Sequence, residues 1–399
     1  MIKTRQQREL WIIFAGYLVA MHVGKLSPAL PILQQQFQLS LFQAGLALSL
    51  VQAAGMLFAL CIGVFSDSIG LKKCLITGLC LVGIASCSGL FIDHIYTLFL
   101  FRFMEGMGFL FVTLSAPAIL KRISDPLHLN FTMGLWSSYM GLGMGLAMLS
   151  VPLLLQFCSW QSIWLGLGIF SFLLAGMISQ LVQVPLSTST QHTAPRFVST
   201  LMLTLKHAPI VCLAVIFACY TSQWLTLVGF LPSIYLHNHI PLESAGMLTA
   251  VVAIANVIGT IVAGLLLHRG FTPRQLMSFG FCSMCIFSWL ALSQLNLPFI
   301  VQYSAVFLFS LFGGFIPTTV FAISLHYAPA PHATAASVGL VLQISATGQF
   351  LIPPLSGLVV SHTQNWSNIA WVTTLLCCIG ICVVQYLFRR HPYQAVQSL

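Results

Sequence analysis

The sequence predicts an all-α polytopic membrane protein, with twelve transmembrane helices in two pseudo-symmetric six-helix bundles and both termini cytoplasmic. The first observation behind this is composition: of 399 residues 58% are hydrophobic and only 5% charged, where a soluble domain carries about 25% charged residues. The second is periodicity. Apolar runs recur at roughly the ~20 residues needed to cross a bilayer, separated mostly by short connections. The third is charge placement. Thirteen of the fifteen Lys and Arg residues lie at the chain ends or in alternate connections, as the positive-inside rule requires of an even number of spans.

The elements follow in order. Lys3, Arg5 and Arg8 precede an apolar run from Trp11 that is too long for a cleaved leader, so it reads as the first, uncleaved helix. The spans are expected near 11–33, 42–65, 74–92, 95–119, 131–156, 162–184, 208–236, 243–267, 275–293, 298–325, 333–360 and 366–388. A Ser-, Thr- and Gln-rich stretch with Arg196 and Lys206 parts two halves, giving an amino-terminal bundle over 1–184, a cytoplasmic linker over 185–207 and a carboxy-terminal bundle over 208–399. A gapless shift of 201 residues pairs Pro31 with Pro232, Gly45 with Gly246 and Gly63 with Gly264, and a shift of 205 pairs Gly134 with Gly339 and Gly143 with Gly348. Such weak internal similarity is the mark of a duplicated membrane fold whose site lies between the halves near mid-depth.

Several function classes fall away. The formal charge of +9 is spent on topology, which removes the case for a nucleic-acid partner. The twelve cysteines lie almost all in apolar runs, where a thiol behaves as a small hydrophobe. The Cys282-x-x-Cys285 spacing lies inside a span with no second ligand pair, and neither it nor His94, His237 and His239 has the pattern of a metal site. No acids, histidines and nucleophile gather at one depth, so no enzyme is expected, and no cofactor.

Chemistry is instead expected from a few polar residues inside the spans. Arg102 and Glu105 lie in the fourth span in Arg102-Phe-Met-Glu105-Gly106-Met-Gly108. A buried ion costs at least ~2.5–3.5 kcal/mol and faces a cavity or a partner. Residues three apart share a helix face, so the two either neutralise each other or present Arg102 to a cavity with Glu105 as proton carrier. Lys25, about ~20 Å into the first span at helical rise, either snorkels to the outer interface or enters the cavity with His22 one turn earlier. The repeat sets Gln223 opposite His22, and Tyr220, Gln223 and Trp224 form a candidate wall. Ser138 and its repeat mate Gln343 are candidate substrate contacts. With Lys25 and Arg102 against one acid, a net positive cavity would favour an anion. Gly134, Gly141 and Gly145 in the fifth span allow close helix approach, as a rocking interface or as plain packing.

The turn Gly63-Val-Phe-Ser-Asp67-Ser-Ile-Gly70-Leu-Lys72-Lys73 resembles the signature loop between the second and third spans of major facilitator superfamily transporters: glycine, three residues, aspartate, two residues, glycine, then basic residues. The fourth-span stretch resembles that superfamily's arginine–glutamine–glycine signature, with Glu105 in place of the glutamine. Trp136-Ser-Ser-Tyr-Met-Gly-Leu-Gly-Met, Gly229-Phe-Leu-Pro232 and Gly348-Gln-Phe are loosely similar to cyanate- and nitrate-type prokaryotic permeases. The resemblance implies a secondary transporter of a small solute, probed first as a small anion, driven by a proton gradient through alternating access in the cytoplasmic (inner) membrane, and monomeric. It implies a gating role for Gly63, Asp67, Gly70, Lys72 and Lys73, with Asp67 as a charged latch rather than only a helix cap or a balance for the two lysines. The residues leave open a proton-coupled drug or metabolite exporter of the same superfamily, favoured by thirty phenylalanines, and a non-transporting sensor on the same scaffold.

Overall fold

A computed structural model describes residues 2–125, 132–133, 135–136, 138–182, 194–293, 297–324, 326–330 and 333–392, without the side chains of 2–5, 63–69, 194–198 and 334–335. The described residues form helices and short connections. The first predicted span is two consecutive helices, α1 (Ile2–Gly24) and α2 (Leu26–Phe37). They are followed by α3 (Leu41–Ile69), α4 (Leu71–Cys87), α5 (Ile95–Ile123), α6 (Tyr139–Leu154) and α7 (Trp160–Leu181). A short amphipathic helix, α8 (Ala194–Leu205), occupies the predicted linker. The second half holds α9 (Ala208–His237), α10 (Leu242–His268), α11 (Pro273–Ala291), α12 (Phe299–Gly313), α13 (Phe315–Ser324), α14 (Thr334–Thr363) and α15 (Ile369–Arg390).

Among the described residues ten helical segments are long and apolar enough to cross a membrane, from Gln6–Phe37 to Trp366–Arg390. The predicted fifth span is represented by the shorter apolar helix α6, and the predicted ninth by the 19-residue α11. Successive long helices reverse direction, so the basic turns gather on one face. Lys72, Lys73, Lys121, Arg122, Lys206, Arg269, Arg274, Arg389 and Arg390 all lie at helix ends on that face.

Sequence dictates where helices bend. Pro31 lies inside α2 and Pro232 inside α9, and a proline removes the hydrogen bond to the carbonyl four residues back. The Val228 carbonyl loses its helical donor to Pro232 in this way. The Ser27 hydroxyl fills the gap from the other half, donating to Gly229 O at 2.8 Å and reaching Val228 O at 3.4 Å. The two proline-kinked helices therefore join on the face opposite the basic one. There α9 packs on α2, whereas the main neighbours of α1 are α5, α6 and α7.

The halves meet along two further seams. Helix α3 packs against α14 over most of its length, and α6 packs against α10. A large apolar core runs through both halves, with a second cluster of buried residues built from α1, α4, α5, α6 and α7 within the first half.

Candidate functional site

The fully buried charges converge inside the first half. Lys25, Arg102, Glu105 and His22 are each no more than 1% exposed. The Lys25 ammonium donates to Glu105 Oε1 at 2.5 Å, Ser86 Oγ at 2.7 Å and His22 Nδ1 at 3.1 Å, which uses all three of its N–H donors. The Trp164 ring lies beneath it at 4.7 Å, within cation–π range. Ser86 passes its own proton to the Trp164 carbonyl at 2.7 Å.

These contacts also assign the His22 tautomer. Ser171 donates its hydroxyl proton to Leu167 O at 3.0 Å, so its oxygen accepts from His22 Nε2, also at 3.0 Å. The imidazole is then neutral, with Nδ1 free to accept from Lys25. Arg102 donates to Glu105 Oε2 at 2.6 Å, to His22 O at 2.9 Å and to Ala47 O at 3.2 Å. Its buried Nη2 has no partner among the described residues. Two cations thus share one carboxylate, leaving a net positive charge and one open guanidinium nitrogen in a low-dielectric interior.

This arrangement corrects the expectation for Lys25. It neither runs to an interface nor lines an open space. Four helices of its own half, α1, α4, α5 and α7, enclose it with α2, and Glu105 is its counter-ion. Glu105 in turn is shared between Lys25 and Arg102 rather than paired with Arg102 alone.

The candidate wall in the second half divides. Tyr220 donates to Asn256 Oδ1 at 2.9 Å, Asn256 donates to Ser310 O at 2.8 Å, and Trp224 donates to Ser310 Oγ at 2.9 Å. Gln223 faces elsewhere, receiving Cys377 Sγ–H at 3.3 Å from α15. The half-repeat is visible in these contacts. His22 reaches α7 through Ser171, and its repeat mate Gln223 reaches α15, the counterpart of α7, through Cys377. The three residues are not one surface, because successive helix positions point about 100° apart.

Ser138 and Gln343 also separate. Ser138 bonds Tyr17 OH at 3.0 Å and donates to Leu135 O at 2.7 Å near the basic-face end of α6. Gln343 is spent on the opposite half: its amide donates to Met56 O at 2.9 Å and accepts from Leu60 N at 3.3 Å. Its amide thus clasps one turn of α3. Gln343→Ala is expected to lower stability by about 0.5–1.5 kcal/mol, the net worth of a lost hydrogen bond, since Met56 O and Leu60 N still pair with each other within α3. The shift of the thermal unfolding midpoint in detergent measures this.

On the basic face, Gly70 precedes α4 with φ +95°, a conformation that suits glycine. Lys72 donates to Ser179 O at 2.7 Å, fastening α4 to the last turn of α7 within one half, and Lys73 is exposed. The side chains of Asp67 and of its neighbours from Gly63 lie outside the described residues, as does Gly134. Gly141 and Gly145 face Val257 and Ile254 of α10.

Sequence reasoning missed Ser86, Trp164 and Ser171, since a serine or tryptophan in an apolar run carries no signal of its own. Asn256 was within reach, being a lone amide in an apolar span. So was Gln52, whose Nε2 donates to Gln349 Oε1 across the halves at 3.1 Å. Among the described residues no group of three or more His, Cys, Asp or Glu could hold a metal ion.

The sequence matches the family model described as Major Facilitator Superfamily over residues 12–343, with a second match over 213–398. No curated protein matches it. Among solved structures, the fold is similar to a bacterial homolog of the human lysosomal transporter Spinster in an inward-facing, unoccupied conformation. The TM-score is 0.79 at 14% identity, covering 98% of this chain and 99% of the other. The same homolog in its inward-facing, occupied conformation gives a TM-score of 0.74 at 16% identity, covering 96% and 97%. At these identities the likeness is one of fold. Nothing in these comparisons favours the cyanate- and nitrate-type branch.

Proposed function

The chain belongs to the Major Facilitator Superfamily, so it is a multi-pass membrane transporter rather than an enzyme, and from that premise we propose that it carries a small anion together with a proton. The buried trio Lys25, Arg102 and Glu105 carries this reading: two cations share one carboxylate, and Arg102 Nη2 is left open.

The topology we assign has twelve spans, counting α6 and α11 with the ten long segments, in two halves of six joined by the α8 linker. The basic face is cytoplasmic, with both termini on that side of the inner membrane. The α2–α9 junction at Ser27 then closes the outer face, as one state of an alternating-access cycle requires. Rocking of one half against the other would open the interior to each side in turn.

The coupling follows from competition for the cations. An entering anion takes the open Arg102 Nη2 and draws Lys25 and Arg102 from Glu105. The released carboxylate lies where an unpaired charge is expensive, so it binds a proton. The anion's negative charge is offset by that proton, and the net charge of the interior is unchanged. Release of the anion returns Glu105 to its cations and expels the proton on the same side.

The test is accumulation of labelled nitrate and cyanate by proteoliposomes with an imposed proton gradient. Wild-type protein should accumulate one of them only with the gradient, and Arg102→Ala and Lys25→Ala should each reduce the initial rate at least tenfold. Gradient-driven movement of aromatic cations with no anion uptake would overturn the reading in favour of an exporter.

A further inference from the structure

We infer that the Gln52 amide is the solute-reading group of the passage between the halves, acting through a reversible hydrogen-bond chain that ends on α9. This rests on transport of a small solute, not on that solute's charge.

Four side chains from three helices form a continuous line across the α3–α14 seam. Gln52 Nε2 donates to Gln349 Oε1 at 3.1 Å, and Gln349 Nε2 donates to Ser345 Oγ at 3.0 Å. Ser345 Oγ lies 2.8 Å from Thr221 Oγ1, and Thr221 donates to Phe217 O at 2.9 Å. Since the Thr221 proton is spent on that carbonyl, Ser345 is the donor to Thr221. Every link runs one way, from α3 through α14 to the backbone of α9.

The head of the chain is incomplete. Gln52 is 5% exposed, yet among the described residues its carbonyl oxygen has no donor and its amide uses one N–H. Gln52 lies eleven residues into α3, ~16 Å from that helix's start at 1.5 Å per residue. That is near the middle of a ~30 Å hydrocarbon core, at the inter-half depth where transporters of this architecture hold solute.

The chain can also run backwards. If both amides flip, Gln349 donates to Gln52, Ser345 donates to Gln349, and Thr221 turns its proton from Phe217 O to Ser345. Three of the four links survive, and Phe217 O gives up the Thr221 hydroxyl. At the head, Gln52 offers its carbonyl and one N–H in one direction and its two N–H donors in the other. The seam can therefore meet a solute through either a donor or an acceptor, and an anion's oxygen would be taken by the N–H form. Gln343 on the same helix has no such freedom, because its amide is committed to Met56 O and Leu60 N.

Two measurements test this. In Gln52→Cys membranes, a small charged thiosulfonate reagent is applied and the modified residues are located by peptide mass spectrometry. Modification at 52 is expected, whereas none at 52, with monodisperse protein, would mean a dry packing seam and overturn the proposal. In proteoliposomes, Gln52→Ala and Gln349→Ala are expected to raise the KM for nitrate at least tenfold with a smaller change in kcat, while Gln343→Ala leaves KM within twofold. An unchanged KM in both seam variants would overturn it. If wild-type protein accumulates no nitrate, the anion reading alone fails, and the labelling at 52 still decides this one.

Discussion

Glu105→Gln is expected to destabilise the protein by about 3–5 kcal/mol, the range for breaking a buried ion pair and stranding its partner, and a second change, Lys25→Met, is expected to recover most of that loss. Glu105 is the counter-ion of both Lys25 and Arg102, at 2.5 and 2.6 Å. Glutamine fills the same volume and keeps an acceptor, but it leaves two buried cations facing no anion. Removing Lys25 then subtracts one of them. Methionine matches its length and packs on the Trp164 ring, and the remaining Arg102–glutamine arrangement is that of the superfamily signature the fourth span resembles. The four proteins of the cycle, compared by thermal unfolding in detergent, give the coupling between positions 25 and 105. Strictly additive effects would mean that these two residues do not share a charge in the folded protein. The cycle also separates structure from transport. The double variant should be stable yet lack proton-driven accumulation, because the group proposed to take the proton is gone.

The fold was largely legible because hydropathy reports depth. Among the described residues the predicted spans fall mostly on helix. One span is shorter than a bilayer crossing usually needs: α11 is only 19 residues. The site was less legible because rise along a helix sets depth but not azimuth. Lys25 could be placed near mid-membrane, but its direction is set by Ser86 and Trp164, which lie 61 and 139 positions further along the chain. One clue was available. Glu105 is the one acid deep within the predicted spans, so charge balance alone would assign it to both deep cations. Gln343 was hard to read for a related reason: depth follows from the sequence, but the bond of its amide to a neighbouring helix does not. The Gln52–Gln349 link crosses 297 positions, and no local pattern announces a pair so far apart.

The second large effect is expected at the seams that must hold while the halves rock. A Cβ added at Gly45 would stand 2.5 Å from Pro353 O and 2.7 Å from Pro354 Cα, and one at Gly246 would fall on the Pro152 ring. Both obstacles are backbone or proline ring, which cannot swing aside as a long side chain would. Gly45→Ala and Gly246→Ala should therefore each destabilise by about 1–3 kcal/mol through overpacking. They should also reduce transport at least tenfold, because α3 would part from α14, and α10 from α6, on the face proposed to seal. Gly264→Ala supplies the opposite sign. It sits on the same helix as Gly246, its added Cβ would meet only Thr318 Cγ2 at 3.9 Å, and alanine favours a helix over glycine by about 1 kcal/mol. That variant should be as stable as the parent or slightly more so, with its rate preserved. Unfolding midpoints and initial uptake rates for the three variants decide the matter. Equal loss at all three positions would show that α3 and α10 tolerate no alanine for general reasons. Loss confined to 45 and 246 would locate the pivots where the two halves touch.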